Sequence, residues 1–222
     1  DFGDFHFQDA LENKDRESLY KRATKEIVSF QSSLLNSEAN LPSFNPQWQT
    51  RELDIFREWC LPDLQDTEYR EITSILVDAI DKIPKAFMHR DFHCRNILLC
   101  QDDELGVIDF QGAMHGPVTY DLVSLLRDCY VDNDKQWIVQ SVRSFQQNLQ
   151  SVGLPYAQVE PDEFLRWFDF AGLQRHLKCV GIFHRLKIRD GKPEYINDVP
   201  RILGYIHQVL ERHSELETIK QL

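Results

Sequence analysis

The stretch Phe87-Met88-His89-Arg90-Asp91-Phe92-His93-Cys94-Arg95-Asn96-Ile97-Leu98-Leu99, followed by Gly106-Val107-Ile108-Asp109-Phe110, decides the reading of this chain. It runs as apolar strand, polar loop, apolar strand, turn, apolar strand. The polar loop holds His89-Arg90-Asp91 and Asn96, and the last strand ends in Asp109. A short loop turning back into an antiparallel strand pair would bring Asp91, Asn96 and Asp109 to one mouth. The apolar runs Ile97-Leu98-Leu99 and Val107-Ile108 would anchor that mouth in a core.

The spacing has a chemical reading. His-Arg-Asp with Asn five residues after the Asp resembles the catalytic loop of protein kinases, H-R-D-x-x-x-x-N. Asp109-Phe110-Gln111 stands where those enzymes carry the metal-binding Asp-Phe-Gly. Phosphoryl transfer asks for a carboxylate to orient and deprotonate the attacking hydroxyl, and for metal ions to neutralise phosphate charge. Asp91 suits the first role. Asn96 and Asp109 offer oxygen donors, which suit magnesium. A metal site made of His89, Asp91, His93 and Cys94 is the rival. Adjacent residues point to opposite sides, and no C-x-x-C or H-x-x-x-H pair completes a tetrahedral set.

Composition bounds the alternatives. The 222 residues are 42% hydrophobic and 27% charged, ordinary for a soluble globular protein. A net charge of -11 argues against a nucleic-acid-binding face. The five cysteines, Cys60, Cys94, Cys100, Cys129 and Cys179, are odd in number and scattered, which reads as reduced thiols in a cytoplasm. No apolar run approaches the ~20 residues of a membrane span, and no signal peptide is visible.

The rest of the chain reads as helices. Asp1-Phe2-Gly3-Asp4 imitates the kinase metal motif but precedes the catalytic loop, so a turn at Gly3 is the better account. Periodicity predicts helices over about Asn13–Leu35, Arg51–Cys60, Asp66 to Pro84, Leu122–Tyr130, Gln136–Gln150, Pro161–Ile188 and Glu194–Glu211. The segment Gln111–Asp121, with two glycines and a proline, reads as a constrained loop. Asp121 is either a plain helix cap or a brace acting through Arg90 or Arg95. The fold class is α+β and mostly helical, one body with a small antiparallel sheet.

A family resemblance grows from the same residues. The run from Phe87 to Asn96, then Val107-Ile108-Asp109-Phe110-Gln111, then Gly116-Pro117-Val118-Thr119-Tyr120-Asp121-Leu122-Val123-Ser124-Leu125-Leu126-Arg127-Asp128, resembles the aminoglycoside phosphotransferase-like kinases. It is most similar to the bacterial anomeric kinases of N-acetylmuramate and N-acetylglucosamine. Arg51–Trp59, Gly172–Lys178 and Gly181–Leu186 agree. The resemblance implies a protein-kinase-like fold, ATP and Mg2+ as cofactors, Asp91 as catalytic base, Asn96 and Asp109 as metal ligands, and His89, Arg90, Arg95 and Asp121 as supports of the loop. It implies phosphorylation of an amino-sugar C1 hydroxyl in peptidoglycan recycling. The family's nucleotide-covering N-terminal lobe has no counterpart, so residues 1–222 read as the C-terminal lobe. That lobe is expected to be a poor kinase unless a separate N-terminal lobe completes it.

Substrate recognition is expected from Gln111, Arg127, Asp128, Gln174 and Arg175, chosen by side-chain type and nearness to the motif. The partners are then a small sugar and a nucleotide. Two other functions fit the same motif: an aminoglycoside or choline kinase, or an inactive kinase-derived lobe that binds a partner. An aminoglycoside pocket must hold a polycation, and the loop after Asp109 is nearly neutral.

Overall fold

The computed structural model describes residues 3–35, 40–100 and 104–222, Gln221 by its backbone only. In chain order the described elements are α1 (Phe7–Asn13), α2 (Arg16–Ser33), α3 (Pro46–Cys60), α4 (Asp66–Asp81), β1 (Lys85–Met88), β2 (Ile97–Leu99), β3 (Leu105–Val107), β4 (Met114–Pro117), α5 (Tyr120–Leu126), α6 (Lys135–Ser151), α7 (Pro161–Ile188) and α8 (Val199–Arg212). Short 3₁₀ segments, among them Phe110–Gly112 and Ser214–Gln221, fill some of the connections. The chain divides into two units, each made of two stretches: Asp1–Ser43 with Pro84–Phe168, and Phe44–Ile83 with Asp169–Leu222.

The helices start where the local chemistry asks. Asp15 accepts the Glu17 amide and Asp134 those of Gln136 and Trp137, so α2 and α6 are capped by their own preceding residue. Asn45 caps α3, with Pro46 at its first position. That helix therefore begins five residues before the expected Arg51, at an Asn-Pro signal the periodicity does not register. The expected helices, the first starting at about Asn13, also leave out α1. Seven residues cannot sustain a helix by propensity; α1 stands because Phe7, Ala10 and Leu11 are buried. Asp66 is the first residue of α4, just after the cap position at Gln65, and pairs with Arg70 at 2.9 Å. Asp1 and Phe2 lie outside the described residues. Gly3 has φ +74°, the left-handed conformation that a turn there calls for.

In the first unit, two antiparallel ribbons replace the expected single sheet. β1 pairs with β4, Met88 opposite Met114 and Lys85 opposite Pro117. β2 pairs with β3, Ile97 opposite Val107. β4 falls inside the segment read as loop. Its Gly116-Pro117 looks like turn chemistry, but proline is tolerated at the end of a two-stranded ribbon, where its missing N–H leaves little of the ladder unmade. The edges are extended by single contacts: the Leu99 amide donates to the Phe5 carbonyl (2.8 Å) and the His115 amide to the Pro42 carbonyl (2.8 Å). Nearby in this unit Phe7, Tyr20 and Trp137 pack on one another, edge to face at 5.5 and 4.8 Å. Phe92, at the centre of the polar loop, is fully buried. Each such side chain contributes about 1.5–3 kcal/mol of burial.

The second unit is helical. Within it α7 passes so close to α3 that a Cβ on Gly181 would lie 2.6 Å from the backbone N and Cα of Phe56. The polar residues of α7 in this unit are buried and largely paired. Gln174 donates to Glu52 (3.0 Å) and Lys178 approaches the same carboxylate (3.6 Å). Asp169 accepts from Arg212 (2.6 Å) and meets His213 (2.8 Å). The His176 ring stacks on Tyr205 at 5.1 Å.

The backbone contact at Gly181 sets a test. Gly181→Ala gains helix propensity but forces two helices apart, and the overpacking term wins. Urea denaturation is expected to show a net loss of about 1–3 kcal/mol.

Candidate active site

The candidate site is built on the loop between β1 and β2 and on the turn after β3, all in the first unit. The loop folds on its own backbone. The amide of His93 donates to the Asp91 carbonyl (3.0 Å) and that of Asn96 to the His93 carbonyl (2.9 Å). The Asn96 side chain donates from Nδ2 to the Asp91 carbonyl (3.0 Å). Its backbone carbonyl receives the Ile108 amide (3.0 Å). Asn96 thus joins the loop of Asp91 to the residue next to Asp109. The structure brings the three sequence-predicted residues into one neighbourhood.

His89 reports the same convergence. It is buried, and burial pulls its imidazole below the usual histidine range, against opposing pulls from Asp91, the Ile108 carbonyl and Asp109. Neither ring nitrogen closes a hydrogen bond of good geometry, so burial decides the direction. Two residues of the site take left-handed backbone angles, Arg90 (φ 77°) and Asp109 (φ 67°). For a long side chain such as Arg90 this is unusual and needs support from its surroundings.

The support comes from α5. Asp121, 2% exposed, accepts the backbone amides of His89 (2.7 Å) and Arg90 (3.0 Å). It is not the cap of α5, a position held by Thr119; it braces the loop through the backbone amides of His89 and Arg90. The Arg90 guanidinium donates to the Gly112 carbonyl (3.3 Å), tying the loop to the turn after Asp109. Arg95 lies over the Tyr130 ring at 3.5 Å and donates to Gln8 (3.3 Å). His6 contacts the Arg95 carbonyl (3.0 Å). His6, Gln8 and Tyr130 carry no motif, and nothing in the sequence pattern marks them.

The residues expected to touch substrate are spread out. Gln111 is exposed and its Nε2 donates to an Asp109 oxygen. Arg127 is buried over the Phe168 ring, 4.7 Å from its centre. Asp128 is buried, with its two oxygens accepting the amides of Cys94 and Tyr130, each at 2.8 Å. Gln174 and Arg175 are buried and belong to the second unit. Cys94 is 1% exposed, and burial pushes its thiol far above the ordinary range, which leaves it no nucleophilic role at neutral pH.

Among the described residues no group of three or more His, Cys, Asp or Glu side chains could hold a metal ion. The tetrahedral rival at His89, Asp91, His93 and Cys94 therefore has no geometry behind it. The Asn96 and Asp109 pair suits another kind of ion. With Nδ2 committed to Asp91, the donor Asn96 has left is its amide oxygen. Together with a carboxylate it makes a hard, sparse donor set, the kind magnesium completes with phosphate and water.

The model of the phosphotransferase enzyme family matches residues 6–156, a span that takes in both ribbons and the loop between β1 and β2. An N-acetylmuramate/N-acetylglucosamine kinase of Neisseria meningitidis serogroup B is 35% identical over 234 residues, covering 100% of this chain and 69% of the relative. The kinase of the same name from Pseudomonas putida is 34% identical over 230 residues, covering 100% and 67%. The chain thus spans about two thirds of the length of these relatives. Among solved structures, an ethanolamine kinase of Plasmodium vivax aligns with a TM-score of 0.62 over 92% of this chain and 62% of its own. At 13% identity that likeness speaks for the fold alone. On the family match and the identity to these relatives, the chain belongs to the phosphotransferase enzyme family, as one of its ATP-dependent kinases.

Proposed function

We propose that the chain is the catalytic lobe of a kinase that transfers the γ-phosphoryl group of ATP to the anomeric hydroxyl of an amino sugar, N-acetylmuramate or N-acetylglucosamine, in a cytoplasmic route that recycles cell wall. The observation that carries the reading is Asn96. Its side chain fixes the loop of Asp91 while its backbone carbonyl holds the residue beside Asp109. The sugar assignment draws on the relatives' names and on their identity across the whole chain.

In this reading Asp91 takes the proton of the sugar hydroxyl as its oxygen forms the new bond to the γ-phosphorus. The bond between that phosphorus and the bridging oxygen breaks, and ADP leaves. Asn96 and Asp109 would hold magnesium, which when bound neutralises charge on the phosphates. Asp121 keeps the Asp91 turn in place, and Arg90 ties it to the turn that presents Asp109. Gln111, donating to Asp109, is placed to orient that carboxylate.

The test is an ATP and magnesium assay over N-acetylmuramate, N-acetylglucosamine, choline and an aminoglycoside, run on this chain and on a version that includes the upstream coding region. The expected product is a sugar 1-phosphate, recognised by its acid lability and by phosphorus coupling to the anomeric proton. Turnover only on choline or the aminoglycoside, in both versions, would sink the sugar assignment. Asp91→Asn is expected to lower kcat by about 10²–10⁴ with circular dichroism unchanged, because an amide cannot accept the proton.

A pH test follows from His89. Its native ring stays neutral below the unfolded value of about 6.5. As pH falls under that value the unfolded chain binds a proton that the native ring refuses, so stability drops, then levels once the native ring is protonated. Urea midpoints measured without magnesium at pH 7.5 and 5.5 are expected to differ less in His89→Asn than in the parent.

A further inference from the structure

Asp128 is absent from the chemistry so far, yet the fold spends a buried carboxylate on it. Asp121 and Asp128 bracket α5, one in its first turn and one just past its end. Asp121 grips the amides of His89 and Arg90; Asp128 grips the amide of Cys94 (2.8 Å). The catalytic loop is therefore tethered at two points, with Asp91, buried Phe92 and His93 between them. The second oxygen of Asp128 takes the Tyr130 amide (2.8 Å). That sets the Tyr130 ring under the Arg95 guanidinium (3.5 Å) and edge to face with His93 (5.6 Å). His93 Nε2 lies 3.5 Å from Asn96 Nδ2. A chain of contacts thus leads from Asp128 to Asn96, which joins the two halves of the site through its side chain and its backbone carbonyl.

We infer that Asp128 is a positioning residue for the Asn96 end of the catalytic loop, as Asp121 is for the Asp91 end. The two tethers divide the loop, so their loss should have different signatures. Losing Asp121 frees the turn that carries the proton acceptor. Losing Asp128 frees the segment 93–96, on which one of the two proposed magnesium donors stands. The inference on function rests on the kinase reading above; the inference on the loop does not.

The experiment takes the full chain in two parts. The first is backbone hydrogen exchange without ligands, read amide by amide across 88–98. Asp128→Asn keeps the size and one acceptor oxygen but turns an NH₂ group towards one of the two amides. It is expected to speed exchange at Cys94 and Asn96 at least tenfold while His89 and Arg90 stay protected; Asp121→Asn is expected to do the reverse. Uniform loss of protection in both variants, or none at 93–96 in Asp128→Asn, overturns the inference. The second part is kinetics in the version that turns over. Asp128→Asn is expected to raise the half-saturating magnesium concentration at least fivefold and to change kcat at saturating magnesium less than threefold. A carboxylate that merely stabilised the fold would lower the amount of active enzyme and leave that concentration alone, which also overturns it. If Asp128→Asn does not fold, Tyr130→Leu removes the ring between Arg95 and His93 at a half-buried position and is expected to speed exchange at 93–96 selectively; unchanged exchange there counts against the proposal. Selective exchange with no turnover on any acceptor in any version would leave the tether standing and remove the kinase reading.

Discussion

A buried carboxylate facing backbone amides is the interaction on which the site depends. Taking a carboxylate out of water costs several kcal/mol unless its lone pairs are met. At Asp121 two amides of the β1–β2 loop meet them. The relation is reciprocal, because loop amides that are shielded from water need acceptors too. Hydrogen bonds to a charged partner contribute about 1.5–3 kcal/mol each, enough to hold a loop in a form its own preferences disfavour. The clamp is rigid because every residue of α5 is buried.

That rigidity accounts for the backbone angles at the site. Left-handed residues outside glycine cost on the order of 1–3 kcal/mol when sparsely populated regions are involved. Arg90 and Asp109 both take such angles, one directly before the proposed base and the other at the proposed metal ligand. Each angle turns the chain sharply just where a side chain is to be presented. Arg90 is held by Asp121 at its amide and by Gly112 at its guanidinium. Asp109 follows a strand whose pairing with β2 fixes its position. The strain is met by contacts that also link the two halves of the site.

The second unit handles polarity differently. Two of its buried carboxylates are paired side chain to side chain: Glu52 with Lys178 and Gln174, Asp169 with Arg212 and His213. Such pairs contribute little net stability against well-packed apolar groups, but each is costly to break by removing one partner. Gln174 and Arg175, attractive as sugar ligands by type, are among these interior residues.

What the sequence determined by itself is local. The spacing of Asp91, Asn96 and Asp109 is short enough that a loop and a hairpin bring them near one another, and the 3.6-residue period marks the long helix Pro161–Ile188 to its ends. Caps such as Asp15 and Asp134 act within three residues. The tertiary structure decided which strand pairs with which, so that β4 emerged from a segment rich in turn residues. It also decided that Asp121 and Asp128 meet amides 32 and 34 residues away. Hydrogen bonds over such separations leave no period in the sequence, because their partner is a backbone amide, which every residue but proline carries. Only the packing of α5 against the loop selects which of those identical groups is met.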